Sequence, residues 1–382
     1  MSHRRTHRTV RTHVRTAIAR TAASLFMVAA WPAVAAWPAV AAPPAAGVTF
    51  TANPVATGLN EPVAFTFARN GRIFYVEKAS GEIRIYNPDG DTDRLFYDVP
   101  GVDAAGERGM LGIALHPAYP ERPFVFVFAT RSAQGSLKNQ ILRLTNNGGS
   151  GRDRRTIFST PATSATIHNG GCILFGPDNE LYAVVGEGGN PRSSQSLSNP
   201  RGKILRMTPL GKRPGDNPIP GSKIFAYGVR NSFGFAFDPV TDELWETENG
   251  PTCNDEVNHV AIGGRNYGWG PRQDCGSLPT PRDTNNSGPK PRIMPELWYR
   301  KTVGITGIAF CDGCGLANSE GDMFLGDVKF GQIRRVPLDA GRDTVDGVGS
   351  VVFDTDSVLS VETGPDGGIY FSDFSGIYRL RD

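Results

Sequence analysis

His168 is the residue of this sequence whose type and surroundings best suit acid–base chemistry. Only three of the six histidines follow the N-terminal leader, and imidazole is the side chain that titrates nearest neutral pH. His168 is followed by Asn-Gly-Gly and then by Phe175-Gly-Pro-Asp178, a turn signature between apolar residues. A lone histidine is more often a hydrogen-bonded structural residue, so its context must decide between a catalytic base and a structural role.

Three further segments combine glycines with charged residues. The segments are Glu107-Arg-Gly-Met-Leu-Gly112, Tyr227-Gly-Val-Arg230-Asn231-Ser-Phe-Gly234, and, one hairpin later, Glu248-Asn-Gly250-Pro251 with Asp255-Glu256. Together with His168 they offer a base, cations and oxygen ligands, and a site built from them must draw on loops that are far apart in the sequence.

Short β-strands must position these loops. Aromatic or β-branched residues alternate around Asn, Asp, Gly and Pro in six similar hairpins, at 67–76, 114–128, 175–185, 237–245, 319–325 and 364–371. Six copies over about 340 residues give about 57 residues per unit, which is enough for four short strands and one longer loop. No segment has the pattern of a long amphipathic helix, and 46 Gly and 29 Pro favour many turns.

We therefore predict an all-β fold, a six-bladed β-propeller of four-stranded antiparallel blades over residues 48–382. Residues 48–57 are predicted to add a strand to the last blade and so close the ring. A two-sheet sandwich is the alternative. A sandwich of this length would need a second domain, and no linker composition separates one.

The N-terminal segment has the composition of an export signal. Residues 1–41 contain six arginines and no acidic residue, followed by an apolar run and Ala39-Val40-Ala41, which suits a signal peptidase. The Arg4-Arg5 pair permits a twin-arginine route beside the general one. Pro32 and Pro38 interrupt the apolar run, which argues against a retained membrane anchor. We predict a signal peptide at 1–41, a flexible lead-in at 42–47, and a periplasmic or extracellular protein.

The basic character of the full chain belongs to this leader. From residue 42 onward, 34 basic residues face 38 acidic ones, a net charge near −4. No basic stripe remains that would indicate nucleic acid or an anionic membrane as a partner.

All five cysteines lie beyond the leader, where an exported chain can oxidise them. Cys253 and Cys275 flank a loop-rich stretch and are predicted to form a disulfide, and Cys311-Asp-Gly-Cys314 can close a tight local loop. A metal or redox role for this second pair is the weaker alternative, since no second pair with zinc-site spacing follows. Cys172, in an apolar run, is predicted to be a buried free thiol.

The order of these motifs resembles the soluble quinoprotein glucose and sorbosone dehydrogenase family, also called aldose sugar dehydrogenase-like. The resemblance covers nearly all of residues 48–382. Its most specific parts are His168-Asn-Gly-Gly171, Phe175-Gly-Pro-Asp178, Arg230-Asn231, Gly234-Phe-Ala-Phe237, Glu248-Asn-Gly-Pro251, Asp255-Glu256-Val-Asn258 and Asn266-Tyr-Gly-Trp269. It implies a six-bladed propeller that binds pyrroloquinoline quinone (PQQ) and calcium, oxidises aldoses to lactones, and passes electrons to an acceptor that the sequence does not name.

The resemblance also implies a role for individual residues. His168 matches the general base that takes the proton of the sugar C1 hydroxyl while the C1 hydride passes to the quinone. Arg230 matches a cation that hydrogen-bonds the quinone, with a loop arginine paired to a carboxylate as the structural alternative. Asn231 matches a neighbour of the cofactor, and Lys329 a basic residue that contacts one of its carboxylates.

Two calcium sites are implied in the same way. Gly250 and Pro251 match positions whose main-chain carbonyls hold a calcium ion at the cofactor. Glu256 and the carbonyl of Tyr267 match a second, structural calcium site, for which a solvated acidic loop is the alternative.

This sequence departs from the family pattern at four positions around the expected cofactor. Ser357 and Leu359 stand where quinone-binding members typically carry arginines, and each lost charge-assisted contact removes about 1.5–3 kcal/mol from the binding of a tricarboxylate. Glu187 replaces the usual Asp, and Glu107 replaces a Gln found in some members. Both glutamates are predicted to lie at the cofactor.

Three functions follow from these observations. The first is an exported quinoprotein that oxidises an aldose or a similar alcohol at C1, with His168 as its base. The second is a non-catalytic propeller that binds a glycan or a protein, which the missing arginines motivate. The third is a calcium-dependent lactone hydrolase, disfavoured because such enzymes need several carboxylate and amide side chains at one metal, whereas the best metal loop here offers mainly carbonyls.

Overall fold

Six antiparallel sheets of four strands each make up the part of the chain that the computed structural model describes, residues 49–270, 275 and 287–382. The first blade contains β2 (Pro62–Phe67), β3 (Ile73–Glu77), β4 (Glu82–Asn87) and β5 (Thr92–Asp98). The second contains β6 (Met110–Leu115), β7 (Phe124–Ala133), β8 (Ser136–Asn147) and β9 (Ser150–Pro161). The third contains β10 (Ile173–Phe175), β11 (Leu181–Val185), β12 (Lys203–Met207) and β13 (Ile224–Tyr227).

The other three blades repeat this order. The fourth contains β14 (Ser232–Phe237), β15 (Leu244–Glu248), β16 (Cys253–Val260) and β17 (Leu297–Lys301). The fifth contains β18 (Ile305–Phe310), β19 (Met323–Asp327), β20 (Gln332–Val336) and β21 (Ser350–Asp354). The sixth contains β22 (Ser360–Thr363), β23 (Ile369–Ser372), β24 (Gly376–Arg381) and β1 (Thr51–Thr57). The prediction of a six-bladed, four-stranded antiparallel propeller is confirmed.

Strand β1 closes the ring, as predicted from the sequence. It pairs antiparallel with β24, from Thr51 opposite Arg381 to Thr57 opposite Gly376, so the two ends of the described chain share one blade. The predicted signal peptide at 1–41, the lead-in at 42–47 and Val48 lie outside the described residues.

The repeated turn signature has a common physical basis. In the third blade, Asp178 accepts hydrogen bonds from the main-chain N of Glu180 at 3.0 Å and from Tyr182 Oη at 2.9 Å. In the sixth blade, Asp366 repeats both contacts with Gly368 N at 3.1 Å and Tyr370 Oη at 3.2 Å. The aspartate therefore folds the turn and also fixes the aromatic residue of the next strand.

The hydrophobic core lies between the blades. Each of six buried apolar clusters joins residues of two neighbouring sheets, and the second strands are buried along their whole length in most blades, as in Leu181–Val185. The innermost strands pack closely around the central channel. A Cβ atom at Gly112 of β6 would lie 2.1 Å from the carbonyl oxygen of Gly171, so only glycine fits there.

Helices are nearly absent from the described residues. They comprise a four-residue α-helix, α1 (Arg192–Gln195), and a 3-10 turn at Pro88–Gly90. No helix among the described residues is long and apolar enough to cross a bilayer.

Both predicted disulfides are confirmed, Cys253–Cys275 and Cys311–Cys314. Cys172 is a free thiol, as predicted, although the residue as a whole is only half-buried because it borders the narrow central channel. Burial raises the pKa of its thiol to about 12, so the group stays protonated at neutral pH.

Candidate active site

The main chain around His168 is held by two neighbouring blades. His168 precedes β10 with a φ of +56°, a left-handed conformation that is uncommon for a residue other than glycine. Its N–H donates to Glu107 Oε2 at 2.6 Å, and the N–H of Gly170 donates to Asn231 Oδ1 at 3.0 Å. The carbonyl of His168 accepts from Gly188 N at 2.9 Å. These bonds fix a side chain that is only 7% exposed.

Glu187 sets the orientation of the His168 ring. Its Oε1 makes a direct short contact with Nδ1 of His168, and the glutamate is 1% exposed. A carboxylate accepts hydrogen bonds, so Nδ1 carries the proton and the lone pair of the neutral ring lies on Nε2. Nε2 makes no hydrogen bond with any described residue, which leaves it available to a ligand.

Glu107 and Asn231 join the second, third and fourth blades at this point. Glu107 Oε2 accepts from the Asn231 amide at 3.1 Å as well as from the main chain of His168. The structure thus brings Glu107 and Glu187, the two glutamates that differ from the family pattern, to His168. Their predicted place at a cofactor stays a prediction.

Arg230 lies beside this group, as the sequence predicted for the next blade. Its carbonyl accepts from Glu187 N at 2.8 Å, and its Nη1 donates to Asn249 O at 2.5 Å. The guanidinium carbon is 5.3 Å from the ring centre of Trp269, and Nε is buried without a hydrogen bond. Burial lowers the pKa of Arg230, and surrounding carboxylates, Glu248 first among them, oppose that effect.

A buried aspartate fixes the Gly250-Pro251 turn. Asp255 accepts from Gly250 N at 2.8 Å through Oδ1, and from Val303 N and Gly304 N at 2.7 Å each through Oδ2. The turn predicted to supply carbonyls to a cation is therefore tied to the fifth blade by charge-assisted bonds.

Three glutamates and one asparagine meet on one face of the fourth blade. In the pairing of β15 with β16, Glu246 lies opposite Asn258, and Glu248 lies opposite Glu256. All four are at most 3% exposed. Burial raises the pKa of Glu246 to about 7, and burial together with Glu246 and Glu256 raises the pKa of Glu248 well above its usual value.

Of this group the sequence analysis assigned only Glu256 to the site. Glu246, Glu248 and Asn258 were missed as site residues. The signal was present in the alternation Glu246-x-Glu248 and Glu256-x-Asn258, but it is readable only once the strand register is known.

The remaining predicted residues lie around this set. Tyr267 is buried, and its hydroxyl donates to the carbonyl of His259 at 3.0 Å. Lys329 is exposed on the fifth blade, where Nζ donates to Thr302 O at 3.2 Å. Ser357 is fully buried, and its hydroxyl has no hydrogen-bond partner among the residues that the structure describes, so no cation is presented from that position.

Comparison with known proteins agrees with this architecture and these motifs. The family model described as Glucose / Sorbosone dehydrogenase matches residues 59–376. Aldose sugar dehydrogenase YliI of Escherichia coli K12 is 26% identical over 347 residues, 85% of this chain and 90% of its own. Quinoprotein glucose dehydrogenase B of Acinetobacter calcoaceticus is 30% identical over 251 residues, 58% of this chain and 52% of its own.

Solved structures give the same result. The PQQ-bound form of aldose sugar dehydrogenase from Streptomyces coelicolor aligns with a TM-score of 0.74 at 27% identity, covering 89% of this chain and 99% of that one. The apo-form of the soluble aldose sugar dehydrogenase from Escherichia coli aligns with a TM-score of 0.76 at 25% identity, covering 87% and 99%. This chain therefore belongs to the glucose and sorbosone dehydrogenase family and is an oxidoreductase of the sugar dehydrogenase type.

Proposed function

We propose that this protein is an exported quinoprotein that oxidises an aldose at C1, with His168 as the general base. The observation that carries the proposal is the His168–Glu187 pair, which holds Nδ1 and leaves Nε2 free beside Arg230. An imidazole whose Nδ1 is fixed by a carboxylate presents the lone pair of Nε2, which suits the removal of a hydroxyl proton.

The residues present suit calcium. Glu246 and Glu248 are buried beside Glu256, and a bound cation would lower the cost of burying carboxylates so close together. Carboxylate and amide oxygens are the ligands that calcium prefers. We propose that Glu256, with the carbonyl of Tyr267, holds one calcium ion and that the Gly250 and Pro251 carbonyls hold another at the cofactor.

The residues also suit an anionic quinone, with fewer cations than the family pattern. Arg230 offers a buried Nε donor that has no other partner, which is the kind of group a bound ligand satisfies. Lys329 is an exposed second cation. Pyrroloquinoline quinone, when bound, supplies the acceptor for the C1 hydride.

The chain itself has three tasks in this reaction. Nε2 of His168 takes the proton from the C1 hydroxyl, and Glu187 stabilises the imidazolium that forms. Glu107 and Asn231 keep the His168 main chain in its left-handed conformation. Arg230, stacked near Trp269, places a positive charge where negative charge develops during oxidation.

The test is reconstitution of the purified protein with calcium and PQQ, followed by dye reduction with a panel of aldoses. We expect turnover, and we expect His168→Asn to lower kcat by about 10²–10⁴-fold while quinone binding persists. His259→Gln, on the outer part of the fourth blade, is the matched control. Absence of quinone binding and of dye reduction refutes the proposal and favours the non-catalytic propeller, and full activity of His168→Asn refutes the role of the base.

A further inference from the structure

A groove on the far side of the propeller carries an unbalanced positive charge. It has a volume of about 710 Å³ and lies between the first and second blades, bordered by the β2–β3 turn, the β6–β7 connection and the β8–β9 turn. Glu107 precedes β6, whereas this groove lies where β6 ends, so the groove and the His168 site are at opposite ends of the blades.

Three arginines of the first blade line the groove. Arg69, Arg72 and Arg94 are exposed, and none of them forms an ion pair with any residue that the structure describes. Arg69 Nη2 donates to Pro117 O at 2.8 Å, which sets its guanidinium across the blade boundary. The lining contains no acidic residue. The nearest acidic residue in sequence, Asp93, points away and is held by Arg84 at 2.8 Å and by Tyr75 Oη at 2.9 Å.

The second blade adds neutral donors to the same space. The Asn146 amide donates to Tyr119 Oη, so the phenol keeps its own hydrogen for another acceptor. Burial raises the pKa of Tyr119, with Arg72 and Arg94 acting against it, so the phenol stays protonated. The Arg94 guanidinium lies against Gly149, where a Cβ atom would be 1.8 Å from Nη2. A side chain at position 149 would displace Arg94 from the groove.

The corresponding groove between the sixth and first blades is different. It is lined by Asp89 and Asp366 as well as by Arg379 and Arg381, and Arg379 Nη1 pairs with Asp366 at 2.5 Å. Charge is balanced there. The excess of donors is a property of the groove between the first two blades, on a chain that is acidic beyond its leader.

We propose that this groove binds a small molecule that carries a phosphate or pyrophosphate group. Guanidinium groups match phosphate oxygens in paired hydrogen bonds, and donors that approach from both blades suit a tetrahedral group better than a planar carboxylate. The site is separate from the sugar-oxidising centre and does not depend on the proposed function.

The proposal is tested by calorimetry on the whole protein with inorganic pyrophosphate, and with citrate as a carboxylate of similar charge. We expect saturable pyrophosphate binding that is stronger than citrate binding. The double variant R72Q/R94Q should weaken pyrophosphate binding at least about tenfold, because two charge-assisted contacts are lost. Arg381→Gln removes the same charge from the corresponding groove and should leave the affinity within twofold.

Three outcomes overturn the proposal. They are the absence of saturable pyrophosphate binding, binding that R72Q/R94Q leaves unchanged, and citrate binding as tight as that of pyrophosphate. Thermal unfolding of R72Q/R94Q identifies a variant that has lost its fold. In that case Tyr119→Phe, which removes only the phenol donor, takes the place of R72Q/R94Q. An unchanged affinity of Tyr119→Phe for pyrophosphate counts against the proposal.

Discussion

A single histidine in this protein is controlled by two carboxylates with different tasks. Glu187 contacts the ring of His168, whereas Glu107 holds its main chain and reaches Asn231 on the next blade. Glu187 is one methylene group longer than the Asp of the family pattern, and Glu107 carries one negative charge more than the Gln found in some members. Both side chains nevertheless hydrogen-bond to His168. Glu107 and Glu187 therefore both hold His168 in position in this chain.

Glu187→Gln should lower kcat/KM by about 10–100-fold and leave the fold intact. An amide can donate as well as accept, so the ring loses its fixed tautomer and the imidazolium loses its counter-charge. Steady-state kinetics of the reconstituted enzyme give the measurement. Glu187→Asp, which keeps the charge, should retain more activity, and Glu243→Gln, which alters the partner of His259, is the control. Equal activity of Glu187→Gln and wild type would contradict the assignment.

The sequence predicted which residue types gather at His168, but it did not predict all of their partners. The proximity of Arg230 and Asn231 follows from motif order. The buried glutamates of β15 do not, because their meeting with Glu256 and Asn258 depends on a register that no local pattern specifies. The ammonium of Lys329 donates to Thr302 O, and its contact with a cofactor carboxylate, which the family resemblance implies, stays a prediction.

One short helix, α1, connects the loop that follows Glu187 with the loops that carry Arg230 and Trp269. Ser194 Oγ of α1 donates to Val229 O at 2.8 Å, and Gln195 Nε2 donates to Trp269 O at 2.6 Å. Lys203, at the start of β12, is fully buried, and its Nζ donates to the carbonyls of Ser193, Ser194 and Arg201 at 2.6–3.0 Å. The loop after Glu187 is thus pinned to the loops that carry Arg230 and Trp269.

Lys203→Met should lower the free energy of unfolding by about 2–4 kcal/mol, because the three hydrogen bonds that Nζ donates to the carbonyls of Ser193, Ser194 and Arg201 are lost and two of them are buried. Urea denaturation followed by fluorescence measures the change. Lys212→Met, at an exposed position, should change stability by less than about 0.5 kcal/mol. A similar loss in both variants would show that the carbonyls are satisfied without the ammonium.

At the scale of elements, the inner hairpins were predictable and α1 was not. Five of the six hairpins carry a turn aspartate or glycine between alternating apolar residues, the hairpin at 114–128 carries prolines instead, and this chemistry is local. A helix of four residues has no periodicity to detect, and the residues that hold it, Lys203 and Val229, lie on other segments.

The whole ring encloses a narrow channel that is lined by a half-buried acid. Glu362 of β22 and Cys172 line the same small cavity as the innermost strands, and the carboxyl accepts from Ser360 Oγ at 3.3 Å. Burial raises the pKa of Glu362 to about 8. The group is thus neutral in the folded protein at pH values where it ionises in the unfolded chain.

This difference predicts a pH-dependent stability. Because the folded state holds the proton between about pH 4.5 and 8, unfolding becomes easier as the pH rises through that window. Glu362→Gln should reduce this slope, to which Glu246 and Glu248 also contribute, so its gain in melting temperature should be larger at pH 8 than at pH 5. Differential scanning calorimetry checks this, with the exposed Glu121→Gln as the control. A gain independent of pH would exclude the carboxyl of Glu362 as the cause.

At the scale of the whole molecule, repetition alone predicted the ring. Six similar hairpins set the number of blades. The β-type run at 48–57 precedes the first hairpin, and it predicted the closing strand because it can supply the strand that completes the last blade. The assignment of residues 1–41 as a signal peptide is a statement about processing, which the fold of the described residues does not test.

The pairing of β1 with β24 separates two events in folding. Glu107, His168, Glu187 and Arg230 come from consecutive blades, so their contacts close short or medium loops of chain. Thr51 and Arg381 are 330 positions apart, and the entropy lost in joining them is the largest loop-closure cost in this topology. The base and its supports can therefore assemble while the ring is still open, and the strand that completes the sixth blade converts that assembled arc into a closed ring.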